Sequence, residues 1–161
     1  MGFIELTMSH IAGLFLLPVF LVLAALFAYA LFELGRFLFE IIQRYFTANT
    51  YKPLTGYYHK HPQADVEQLE LHLLKQLEPL RVVSRVSPML GLIATMIPMG
   101  PALMGVASGN FMDVAENLSA AFSAVIIALL SASMVFWVLS VRRRWLLEEL
   151  KQLALIIDRQ V

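Results

Sequence analysis

The chain has no cysteine. A disulfide framework and a thiolate metal site are therefore excluded, and the redox compartment leaves no trace in the sequence. Charge is also scarce. Asp, Glu, Lys and Arg make up 15% of the 161 residues, where a soluble domain carries about 25%, and 59% of residues are hydrophobic. The formal net charge is zero, so no global field draws in nucleic acid or another charged partner. The sequence holds no phosphate-cradling glycine loop, no nucleophile beside a base and no aromatic-basic surface. Nothing points to an enzyme, and no cofactor is implied.

The shortage of charge is local. Ile11–Phe32, Val86–Met112 and Asn117–Val141 contain no charged side chain. Each exceeds the roughly 20 helical residues that cross a hydrocarbon core of about 30 Å. Lipid cannot satisfy backbone polar groups, so each crossing must be a helix. Buried helices of a soluble bundle seldom run this far without a charge. A cleaved signal peptide, processed at Ala28-Tyr29-Ala30, is disfavoured because no Lys or Arg precedes the apolar run and the run is too long. The expected fold class is an all-α membrane protein with three transmembrane helices, embedded in a lipid bilayer.

Orientation follows from the basic residues. Arg36, Arg44, Lys52, Lys60, Lys75, Arg81 and Arg85 lie between the first and second spans, and Arg142, Arg143, Arg144, Lys151 and Arg159 follow the third. All twelve fall on one side, which the positive-inside rule assigns to the cytoplasm. The expectation is a multi-pass protein of the cytoplasmic (inner) membrane, with the N-terminus outside and the C-terminus cytoplasmic.

The helices are expected to outrun the membrane. Glu33, Arg36, Glu40 and Arg44 keep three- and four-residue steps beyond the first apolar run. A helix from His10 to Tyr45 would measure roughly 54 Å at 1.5 Å per residue, so it would extend well into the cytoplasm. Thr47–Pro62, with Pro53, Gly56 and Pro62, reads as a loop. Asp65–Glu78 is amphipathic, with Leu69, Leu73, Leu77 and Leu80 on one face. Pro79 and Pro88 interrupt the chain beyond that face, so the second span is expected to enter through a bend. The third span runs on through Trp145, Leu146, Leu147, Leu150, Leu153, Ile156 and Ile157 at heptad-like steps. Such a face needs a partner: the extension of the first helix, the Asp65–Glu78 helix or neighbouring copies. Three segments are expected: 1–46 with the first transmembrane helix and its extension, 47–85 as a cytoplasmic loop and amphipathic helix, and 86–161 as a transmembrane hairpin with a cytoplasmic C-terminal helix.

Small and hydroxylated residues mark the second and third spans. Ser84, Ser87, Gly91, Thr95, Pro98 and Ala102 descend one face of the second, and Ala120, Ala124 and Ala128 one face of the third, beside Ser119 and Ser123. Close helix packing in lipid explains most of this pattern. Thr95 asks for more, because Pro98 and Pro101 cannot donate to the carbonyls of Ala94 and Ile97. A hydroxyl beside freed carbonyls is a polar patch that faces protein or a water-filled path. Glu116 shares a helical face with Ser119 and Ser123. It is either a functional intramembrane acid or an N-terminal charge favoured by the helix dipole. His59 and His61 flank Lys60 in a polar stretch, more often solvated than metal-binding. Gly105-Val106-Ala107-Ser108-Gly109 fits a small-residue dimer motif and a turn equally well.

Val86-Ser87-Pro88-Met89-Leu90-Gly91-Leu92-Ile93-Ala94-Thr95-Met96-Ile97 resembles the "SPxLGLxGTxxG" signature of the MotA/TolQ/ExbB proton-channel family. Ala115-Glu116-Asn117-Leu118 resembles the "AEAL" stretch opening that family's last helix. The resemblance covers Ser84–Gln152 well and the first helix by hydropathy only. It implies a homo-oligomer, a pentamer, around a dimer of a single-span partner of the TolR/ExbD/MotB type. The partner's membrane Asp binds the ion, and flow of H+ or Na+ drives movement. Thr95 matches the family's threonine on the second helix. The family's second threonine falls on Ala121, or near Ala124 or Val125 in a shifted register, and Ser123 is the nearest hydroxyl. The expected ion pathway is then Thr95, Ser123, Ser119 and Glu116, with Pro98, Pro101 and Ala94 supplying the kink and freed carbonyls. The larger cytoplasmic domain of flagellar members is missing, so a TolQ/ExbB-like envelope task is expected. The rivals are a non-conducting membrane scaffold and a membrane subunit of an envelope transport system.

Overall fold

A computed structural model describes the backbone of residues 2–46, 53–60 and 65–158, and, within these, side-chain surroundings from residue 13 onward except at 44, 45 and 158. The described residues form four helices and no strand: α1 (Gly2–Phe46), α2 (Pro53–Lys60), α3 (Val66–Ser108) and α4 (Phe111–Asp158). At 1.5 Å per residue α1, α3 and α4 measure roughly 65–72 Å each, more than twice a hydrocarbon core. All three are long and apolar enough to cross a membrane. α1 starts eight residues before the expected His10, and it runs unbroken through Pro18.

Two expectations fail. The interruption expected at Pro79 and Pro88 does not occur: α3 stays helical through both and through Pro98 and Pro101. Each proline forfeits a backbone bond. Tertiary packing overrides that loss, since Leu77, Leu80, Val83 and Ser87 around these prolines are all buried. The loop expected over Thr47–Pro62 contains α2 at Pro53–Lys60; residues 47–52 and 61–62 of that stretch lie outside the described residues. Pro53 opens the helix, where its missing N–H costs nothing. The Thr55 amide and Oγ1 both donate to Glu149 Oε1, each at 2.8 Å, so a side chain from α4 caps α2. Eight residues do not hold a helix alone. Docking does.

The described chain divides into two compact units. The first comprises Met1–Leu31 and Val83–Met134. Its core joins Leu23 of α1 to Ala94 of α3 and to Ala124 and Ala128 of α4, with Val19, Phe20 and Leu90 packed against them. A Cβ built on Gly91 would lie 2.6 Å from the Ala128 Cβ, so α3 and α4 approach more closely there than any side chain at 91 allows. The turn between them is short. Gly109 has φ +75°, and Asn110 N donates to Gly105 O at 2.9 Å while Gly109 N donates to Val106 O at 3.2 Å. These paired bonds, with glycine in the left-handed region, are the Schellman cap of α3. The Gly105–Gly109 spacing thus builds a turn, and Gly105 also admits Val114, whose Cγ2 would meet an added Cβ at 2.8 Å.

The second unit comprises Phe32–Val82 and Val135–Val161. Leu54 of α2, Leu69, Leu73 and Leu77 of α3, and Leu146, Leu150 and Leu153 of α4 form its buried seam. The amphipathic leucines therefore find partners within this chain. Asp65 starts α3: its carbonyl accepts from Gln68 N and Leu69 N, and its Oδ1 accepts from Val66 N at 2.7 Å.

Candidate functional site

The antiparallel register of α3 and α4 organises the site. Gly91 stands opposite Ala128 and the chain reverses at Gly109, so position 95 lies level with 124 and position 96 with 123. Thr95 and Ser123 therefore share a level of the hairpin, several turns from its tip. Thr95 is half-buried on α3, and its Oγ1 donates to Leu92 O at 2.7 Å. The freed carbonyl of Ala94 is not its acceptor. Ala94 itself is fully buried against α4, Pro98 is buried beside it, and Pro101 is exposed.

On α4 the face carrying Glu116, Ser119 and Ser123 is exposed, while Ala121, Ala124, Ala128 and Ser131 are buried. Ser123 Oγ donates to Ser119 O at 2.9 Å. A serine or threonine hydroxyl that donates to its own helix keeps lone pairs for an incoming donor, so both groups still present acceptor oxygens. Ser123 also borders an open groove of about 260 Å³ between Phe20, Leu23 and Ala24 of α1 and Ala120 and Ile127 of α4. Glu116 lies in the second turn of α4. The N-terminal charge position belongs to Asp113, which sits in the first turn and pairs with Asn110 Nδ2. Its carbonyl accepts from Asn117 Nδ2 at 2.8 Å.

The structure therefore brings Ser119, Ser123 and Glu116 onto one exposed face and sets Thr95 at the height of Ser123. Of the stripe on α3, Ser87, Gly91, Pro98 and Ala102 face inward. Ser87 is fully buried, and its Oγ has no partner among the described residues. The buried alanine row of α4 runs through Ala121, whereas Ala120 is exposed. His59 is exposed at the end of α2; His61 lies outside the described residues.

Sequence reasoning missed an ionic cluster in the second unit. Arg142 of α4 spans two carboxylates of α1, with Nη1 3.1 Å from Glu33 Oε2 and Nη2 2.9 Å from Glu40 Oε1. Arg36 adds a 3.3 Å bond to Glu33 Oε1. The Glu33 side chain is only 7% exposed. Phe37, fully buried, lies between the two glutamates on α1 and meets Trp137 edge-on at 5.3 Å and Trp145 in a stack at 5.5 Å. The signal was present: Glu33 and Arg142 are the first charges after the first and third uncharged runs. Opposite charges at equivalent places in two helices are natural partners. Ser131, also missed, is fully buried and donates to Ile127 O at 2.7 Å.

Neither the curated proteins nor the solved structures offer a match to this chain. A family does. The model for the MotA/TolQ/ExbB proton channel family matches residues 34–154. That stretch begins just after the first apolar run and takes in the ionic cluster from Arg36 onward, all of α2 and α3, and most of α4. Three apolar helices, a glycine-mediated hairpin and a match across most of the chain lead to one conclusion: this multi-pass membrane protein belongs to the MotA/TolQ/ExbB proton channel family.

Proposed function

We propose that the chain is the channel-forming subunit of an ion-driven motor. Five copies surround a dimer of a single-span partner of the TolR/ExbD/MotB type, and flow of H+ or Na+ through the assembly moves that partner. The partner's membrane Asp binds the ion. Thr95, Ser123 and Ser119 line the shared interior, and Glu116 helps ions enter at the outer mouth. The membrane is the cytoplasmic one, with the arginine-bearing ends of the helices inside. No cofactor takes part.

The observation that carries this reading is the match over residues 34–154, supported by the face of Glu116, Ser119 and Ser123 on α4, exposed among the described residues. Buried hydroxyls within one chain would only cement helices. Exposed ones at a common level suit a surface that several copies share. The energy scale is sufficient, since one charge crossing 100 mV releases about 2.3 kcal/mol. The test is reconstitution of both chains in liposomes, with ion flux and copy number measured together. Flux through a five-to-two assembly, reduced several-fold by Thr95→Ala, supports the reading. Wild-type flux in Thr95→Ala, or a four-fold assembly, contradicts it.

One feature favours a non-conducting scaffold: the family's second threonine falls on Ala121, or near Ala124 or Val125 in a shifted register, and none of these carries a hydroxyl. A scaffold predicts the same assembly with no flux.

A further inference from the structure

We propose that α1 carries a binding site for a zwitterionic phospholipid of the phosphatidylethanolamine class, with the phosphate on Arg36 and the ammonium on Glu40. Phe32, Gly35, Arg36, Phe39 and Glu40 line an open groove of about 430 Å³. The groove begins where the uncharged run Ile11–Phe32 ends. In a spanning helix that is the headgroup level. Phe32 and Phe39 are 62% and 66% exposed, and they wall the groove above and below a glycine. A Cβ at Gly35 would meet nothing within 4 Å, so the floor between them is open.

The charges are arranged for a ligand with both signs. Arg36 engages Glu33 through Nη1, and its guanidinium lies 5.9 Å from the centre of the Phe32 ring. Its side chain is 53% exposed. Glu40 engages Arg142 through Oε1. Among the described residues these are the ion pairs the two groups make, through one nitrogen of Arg36 and one oxygen of Glu40. Arg36 and Glu40 are one helical turn apart on one face. An ethanolamine headgroup carries its phosphate and ammonium a two-carbon bridge apart and matches that spacing. Phosphatidylglycerol would also satisfy Arg36, and its hydroxyls can donate to Glu40, but it brings no positive charge to pair with that carboxylate. A second copy of the chain is a poorer occupant, because helices associate in lipid through small residues and close backbones, and here two phenylalanines stand proud. The site needs only membrane insertion, so its failure would leave the channel reading untouched.

The full chain is placed in nanodiscs of equal phosphatidylethanolamine and phosphatidylglycerol, extracted in mild detergent, and its retained lipids are counted by native mass spectrometry. The wild type should retain phosphatidylethanolamine several-fold over phosphatidylglycerol. Gly35→Leu, whose Cβ meets nothing within 4 Å and which leaves every charge in place, should lose the retained lipid. Arg36→Gln should lose lipid of both kinds, whereas Glu40→Gln should keep phospholipid but lose the preference. Bulk lipid proportions in the wild type, or unchanged retention in Gly35→Leu, would overturn the site. So would rapid disulfide formation between copies of Gly35→Cys, since a second copy would then occupy the groove.

Discussion

The two units of this chain solve the same packing problem with different chemistry. The first holds its helices together with Ala94, Ala124, Ala128 and a missing side chain at Gly91. The second uses seven leucines, a Phe37–Trp137–Trp145 cluster and an arginine shared by two glutamates. Lipid and water reward these two chemistries differently. Lipid tails are as apolar as leucine, so a leucine seam gains little there, and close approach of backbones supplies the attraction. Where water surrounds the helices, burial of large apolar side chains drives association, at roughly 25 cal/mol per Å².

That contrast predicts different weak points. Arg142→Met should have the largest effect, about 3 kcal/mol, the low end for breaking a buried ion pair because Arg36 still faces Glu33. Arg142→Lys should recover only part, because a single ammonium does not span both carboxylates. Denaturant unfolding in detergent measures both; a change below about 0.5 kcal/mol for Arg142→Met, ordinary for a surface substitution, would show that the cluster holds nothing. Gly91→Ala should cost less, about 1–3 kcal/mol, as an overpacked contact. Ala128→Gly in the same chain should relieve it, since the clash lies between those two Cβ positions. If Gly91→Ala is neutral, the small-residue contact does not hold the first unit together.

Much of this was legible in the sequence. Three charge-free runs announced three spans, because no other structure tolerates them. The spacing of Leu69, Leu73, Leu77 and Leu80 announced a buried face, and all four are buried. What stayed hidden depends on tertiary contact. α2 reads as a loop because Pro53, Gly56 and Pro62 are turn residues in sequence; Glu149, 94 positions from Thr55, supplies the cap that makes it a helix. The prolines of α3 read as breaks, and the burial around them overrides propensity. Arg142 reads as a topology signal, whereas its choice of Glu33 and Glu40 more than a hundred positions away depends on how α1 and α4 pack. The ion pathway was approached through a family likeness in α3, and the structure adds the register that levels Thr95 with Ser123.

The account rests on water reaching that level. Because the native chain has no cysteine, single substitutions report cleanly. Thr95→Cys, Ser123→Cys and, as a control, the exposed Leu21→Cys are reconstituted in liposomes and treated with a membrane-impermeant thiosulfonate, which attacks a thiolate and so needs water. The first two should react while Leu21→Cys does not, and adding the single-span partner should slow both. Thr95→Cys and Ser123→Cys as inert as Leu21→Cys would contradict an aqueous interior at this face.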